Sequence, residues 1–241
     1  MKITSKELEQ VAAAEALRFD LYSGIHKALR AMMADTLLAL GRMDPGDEAE
    51  VTQVTERVLQ LLGFCGSHLS HENAYVHPAI EARAPGGSER IAHEHEEHEE
   101  HIAELSRHVA QLQLAPAAGR SAAAQTLYCE LALFIAGNFQ HMHVEETAHN
   151  AVLWARYTDA ELAAVHDALV GSMPPDEMMQ AARWMVPFMN APERALMLAD
   201  LRAKAPPPAF AAVLDLVRPH LSAREWDKLA QALELPAEPA W

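Results

Sequence analysis

Aromatic residues are scarce in this 241-residue chain, at 6%, and there are only 10 glycines. Sustained alternation of Val, Ile, Thr and aromatics, the mark of a half-buried strand, is missing too, which leaves an all-helical composition. The only two cysteines, Cys65 and Cys129, form no Cys-x-x-Cys pair, so there is no disulfide framework and no thiolate cluster. Both are expected as small core residues. Lys and Arg number 19 against 34 Asp and Glu, and the formal charge of −15 argues against nucleic acid or an anionic membrane as a partner. No apolar run reaches the length of a membrane span, and Met1 to Gln10 is too polar for a secretory signal. The expectation is a cytoplasmic protein.

What is present is Ala, Leu, Met and histidine. Of 14 histidines, 11 fall between His68 and His149, so the question is which of them lie on buried stripes. Thr4-Ser-Lys-Glu7 offers a capping box, and a first helix is expected from there or slightly later to Gly41, with Phe19, Tyr22, His26, Leu29, Met33 and Leu40 inward. Met43-Asp-Pro-Gly-Asp47 reads as a turn. A second helix is expected over 47–82, with Val51, Val58, Leu61, Cys65, His68, Glu72, Tyr75 and Ala79 inward and Pro78 kinking or ending it. Ala84-Pro-Gly-Gly-Ser88 breaks the chain. A third helix follows over 88–114, its stripe running Ile91, His95, His98, Ile102, Leu105, Val109 and Leu112. After Ala115-Pro-Ala-Ala-Gly119, a fourth is expected over 121–157, its stripe passing Leu127, Leu131, Phe134 and Asn138 to Val152.

Four long helices with short connections imply an all-α, up-down-up-down bundle over residues 1–157. On such a frame His26 and His68 both stand about 30 Å from the first turn, and the heights of His68, His98 and His141 differ by only ~6 Å. His141 and Glu145 stand four apart on a buried stripe, as do His68 and Glu72. Charged and polar groups inserted into an apolar stripe are costly unless something binds them. A Glu from each of two facing helices can bridge two cations while imidazoles terminate each, a donor set suited to iron or manganese more than to a structural zinc. His-Glu-x-x-His is absent, and Glu146-Thr-Ala-His149 is the one Glu-x-x-His match, so a ferritin-like pair of such elements is excluded.

In order along the chain, His26 in Ile-His-Lys-Ala-Leu-Arg, His68-x-x-x-Glu72-Asn, Glu97-His98-x-x-x-Ile-x-x-Leu105 and His141-x-x-x-Glu145-Glu146 resemble the hemerythrin-like (HHE) domain over about residues 10–157. The resemblance implies a non-haem di-iron centre, open to Mn or Zn substitution. His26, His68, His98 and His141 would be its terminal ligands and Glu72 and Glu145 its bridges, with Glu94, His95 and Glu146 as further candidate donors. His71, His77, His93, His101, His108, His143 and His149 are expected at the surface or behind the ligands. Hemerythrins that carry oxygen have His-x-x-x-His on the third helix, where this chain has Glu94 first. The pattern is closer to di-iron proteins of iron–sulfur cluster repair and nitric oxide response, though their cysteine-bearing N-terminal segment is missing.

Beyond Tyr157 the pattern changes. Thr158, Asn190 and Ser222 each open a short helix with Glu three residues on, and Met178, Met179, Trp184, Met185, Phe188, Met189, Leu196 and Met197 form an apolar set. Residues 158–241 are expected as a helical extension, packed on the bundle or forming a homodimer surface. The functional expectation is a protein that binds or senses O2, NO or peroxide. Two rivals stand beside it. One is a redox enzyme at the same centre, reducing peroxide or NO or donating iron for cluster repair; the other is a metal-free or metal-storing structural bundle.

Overall fold

The computed structural model describes residues 18–235, and among them there is no strand and no helix long and apolar enough to cross a membrane. The Thr4 capping box lies outside the described residues. Helix α1 spans Ser23–Arg42, α2 Glu48–His71, α4 Glu89–Leu114 and α5 Ala117–Val144. Helix α1 packs on α2 and α5, α2 on α4, and α4 on α5, which closes a four-membered ring.

Local chemistry sets the ends. Asp47 caps α2 by accepting hydrogen bonds from the backbone N–H groups of Ala49 and Glu50. The connection to α4 needs two glycines for different reasons. Gly86 has φ +80°, and a Cβ on Gly87 would lie 2.8 Å from the Ala84 carbonyl oxygen. Glu81 ties the same connection by accepting from the N–H of Gly86 at 2.7 Å and of Ser88 at 2.9 Å. Helix α5 starts earlier than expected because Pro116 lies just outside its first turn and Gly119 does not break it.

Two of the long helices are interrupted. A π-helical turn, Glu72–Val76, follows α2 and leads into α3, His77–Arg83. A second, Glu145–His149, follows α5 and leads into α6, Asn150–Arg156. In the first, the His77 N–H reaches back to the Glu72 carbonyl, five residues away. Pro78 has no N–H to give and its ring would crowd a regular turn, so the kink expected there takes the form of a widened turn just before it.

Each widened turn accommodates one extra residue and so moves the buried stripe one position on. Val76 and Ile80 are buried where Tyr75 and Ala79 were expected, and Leu153 is buried in place of Val152. The core of the ring comes from Leu29, Met32 and Met33 of α1, Val58, Leu61 and Cys65 of α2, Leu105, Val109 and Leu112 of α4, and Leu127, Leu131 and Phe134 of α5. Each such side chain contributes about 1.5–3 kcal/mol on burial, which offsets the desolvation of polar groups set among them. Cys129, in contrast to Cys65, is exposed.

The chain divides into two compact units after Ser172, so α7, Asp159–Ser172, belongs with the ring rather than with the extension expected from residue 158. Leu162 packs with Tyr22, Val76, Ile80 and Leu153. Arg18 donates to Asp159 at 2.6 Å, and Arg83 pairs with Glu161.

The second unit comprises α8, Pro175–Phe188, α9, Ala191–Lys204, α10, Pro207–Val217, and α11, Ala223–Ala232. The expected capping boxes form at Asn190 and at Ser222. Its core is Val186, Leu198, Phe210, Val213, Val217 and Leu229, with Met179 and Met197 packed against it. Of the apolar set expected there, Met178, Phe188 and Leu196 are exposed. Arg194 is buried inside this unit and donates to the carbonyls of Val186 at 2.8 Å, Pro187 at 3.1 Å and Met189 at 3.0 Å, closing the C-terminus of α8.

Candidate metal centre

Glu72 and Glu145 close α2 and α5 respectively and face each other inside the ring, 3% and 0% exposed. Their four oxygens divide between two pairs of imidazoles. On one side, His68 Nε2 lies 3.3 Å and His26 Nε2 3.8 Å from Glu72 Oε1, and His26 Nε2 lies 3.4 Å from Glu145 Oε2. On the other, His95 Nε2 lies 3.4 Å from Glu72 Oε2 and 3.7 Å from Glu145 Oε1, and His141 Nε2 lies 3.3 Å from Glu145 Oε1. Each glutamate therefore gives one oxygen to each histidine pair.

None of the four carboxylate oxygens makes a hydrogen bond, nor does Nε2 of His26 or His68, although all are buried. Leaving such groups uncompensated costs several kcal/mol per charge. Donors about 2.1 Å from one ion, set at roughly right angles, stand about 3 Å from each other, close to these separations. The donor set therefore fits two cations bridged by two carboxylates.

Outer partners hold three of the rings so that Nε2 points inward. His26 Nδ1 donates to Glu146 Oε1 at 3.0 Å, and Arg30 clamps that carboxylate from outside at 2.6 and 3.0 Å. His141 Nδ1 donates to Glu94 Oε2 at 3.1 Å, with Arg90 on the other oxygen. His95 Nδ1 donates to Asn73 Oδ1 at 2.7 Å. A carboxylate or amide behind an imidazole fixes its tautomer and raises its basicity.

Charge is balanced by protons when no cation is bound. Burial alone would neutralise His26, but the carboxylates of Glu146, Glu72 and Glu145 reverse this and raise it to about 9. Burial also opposes the charge on His95, which Glu145 and Glu72 nonetheless raise to about 9. His68 goes the other way, lowered to about 4 chiefly by burial. Burial and the Glu145 charge both push Glu72 up, yet His68, His26 and His95 hold it down at about 2. Glu145 is held well below the usual carboxylate range against its own burial, by His141 and His95. Both glutamates are anionic at neutral pH, as bridging requires.

Of the six residues singled out by sequence, His26, His68, Glu72, His141 and Glu145 come together, and His98 does not. His95 takes the place expected for His98. His98 lies three residues further along α4, where its ring meets Phe134 at 6.0 Å and His141 at 4.7 Å edge-on. Glu94 and Glu146, weighed as further donors, stand behind imidazoles rather than among the inward-facing atoms.

Two residues expected at the surface or behind the ligands are buried beside the centre: one ring nitrogen each of His77 and His149 and one Glu145 oxygen lie within 4.8 Å of one another. His77, five residues after Glu72, is turned away by regular helical spacing and is brought in by the first π turn, whereas His149, four residues after Glu145, already shares its face. The one signal available was the near-repeat His68-x-x-x-Glu72-x-x-x-x-His77 and His141-x-x-x-Glu145-x-x-x-His149.

No curated protein and no solved structure matches the chain. The family model described as the hemerythrin HHE cation binding domain matches residues 19–149, more than half of the chain, covering the four-membered ring and both π turns. The chain therefore belongs to the hemerythrin HHE cation-binding family.

Proposed function

We propose that the protein holds two non-haem iron ions between Glu72 and Glu145 and binds or senses a small ligand there, O2, NO or peroxide, in the cytoplasm. The observation that carries this reading is the division of the two glutamates, one oxygen of each to each histidine pair. His26 and His68 would terminate one ion, His95 and His141 the other. Imidazole and carboxylate donors suit iron or manganese, and four protein donors per ion are fewer than these metals take. Bound iron would supply redox chemistry and coordination positions open to a small ligand. The formal charge of −15 supports a small-molecule partner over nucleic acid or an anionic membrane.

Metal content tests the reading. Protein from iron-replete cells should carry about two iron ions per chain, Glu145→Ala should lose at least one, and His108→Ala should keep both. Equal iron in the two variants overturns the assignment. Steady-state consumption of peroxide or NO with an electron donor would move the protein from ligand binding to redox catalysis.

A further inference from the structure

The pair of cations leaves a third set of buried donors unused. His77 and His149 are 6% and 2% exposed, and both lie beside Glu145. One ring nitrogen of each and one Glu145 oxygen lie within 4.8 Å of one another. His77 Nε2 is buried and makes no hydrogen bond. The His77 ring stacks on His95 at 4.8 Å and meets His149 edge-on at 5.7 Å, so it is packed in place rather than swinging free. Tyr22, itself buried, meets His149 Nδ1 through its hydroxyl at 3.0 Å, which parallels the way Glu146 holds His26 and Glu94 holds His141.

We propose that His77, His149 and Glu145 form a third divalent-cation site adjoining the di-metal centre. Two imidazoles and one carboxylate form the donor set of an open metal site, with remaining positions left to water or a bound small molecule. Tyr22 occupies Nδ1 of His149 and assigns the cation to Nε2. Because Glu145 already serves two ions, the third receives only a share of its charge. It fills last and is held more weakly. This inference rests on the di-metal reading only in that Glu145 is common to both.

The test uses the full metal-free chain and Zn2+, which stays in one oxidation state, with bound metal read by equilibrium dialysis and elemental analysis. Wild type should take up about three Zn2+ in two phases, and a His77→Gln/His149→Gln variant about two, with the tight phase unchanged. Two Zn2+ in both proteins, or three in both, overturns the third site. One in wild type and none in the variant would uphold the third site while removing the di-metal reading. None in either overturns both. Should the double variant fail to fold, Tyr22→Phe carries the test: it should weaken the second phase about 10–100-fold and leave the first alone. An unchanged second phase in Tyr22→Phe also overturns the site.

Discussion

Glu146 and Asn73 touch no inward-facing donor atom, yet each decides where an imidazole points. Removing such outer partners typically lowers metal affinity about 10–100-fold. Glu146→Ala should therefore weaken iron binding by that factor in a competitive chelator titration, while Glu97→Ala, on the exposed face of α4, should not. Proton linkage gives a second expectation at this scale. His26 and His95 are raised to about 9, so their contribution to the stability of the metal-free protein is full below about 6.5 and fades as pH rises through 9. His68, His77 and His98 are lowered to about 4, mainly by burial, so stability falls as pH drops from about 6.5 toward 4. Denaturant unfolding of the metal-free chain across pH should show a maximum near 6.5. A stability that keeps rising to pH 9 would contradict the arrangement of these rings.

The elements show what was legible in the sequence and what was not. The capping boxes at Thr158, Asn190 and Ser222 follow from local chemistry and are found, as are the four long helices, although the first begins only at Ser23 and Gly119 lies inside the fourth. Stripe positions held at regular spacing up to Glu72 and Glu145 and then slipped by one residue. Pro78 signals the first slip. The second turn, Glu145 to His149, contains no proline or glycine; its one local feature is Thr147, whose hydroxyl donates back to the His143 carbonyl at 2.7 Å. His95 and His98 both lie on the α4 stripe, so spacing does not choose between them, and the heights of Glu72 and Glu145 do.

Arg194 was equally hidden, one of several charged residues in its helix, with the backbone carbonyls at the end of the preceding helix and Glu225 as partners. Arg194→Ala leaves those carbonyls buried without donors, at about 1–3 kcal/mol each before relaxation. Loss of at least ~2 kcal/mol in chemical unfolding of the second unit is expected. A change under ~0.5 kcal/mol would mean that water replaces the guanidinium freely.

At the scale of the molecule, cations that bind only the folded ring stabilise it by mass action. Metal at about 100 times its dissociation constant should add about 2.7 kcal/mol, or roughly 5–10 °C in the melting of the first unit. A melting temperature indifferent to added Fe(II) or Zn2+ would contradict a site spread over four helices.

The near-repeat has a further consequence. His26, His68, Glu72 and His77 come from the first helical hairpin, and His95, His141, Glu145 and His149 from the second, joined through Gly86 and Gly87. Each hairpin carries the imidazoles that would terminate one ion but only half the carboxylate oxygens that ion would meet. Severing the peptide between those glycines would yield two fragments, neither of them a complete chelator, whose reassembly depends on the ion that both must share.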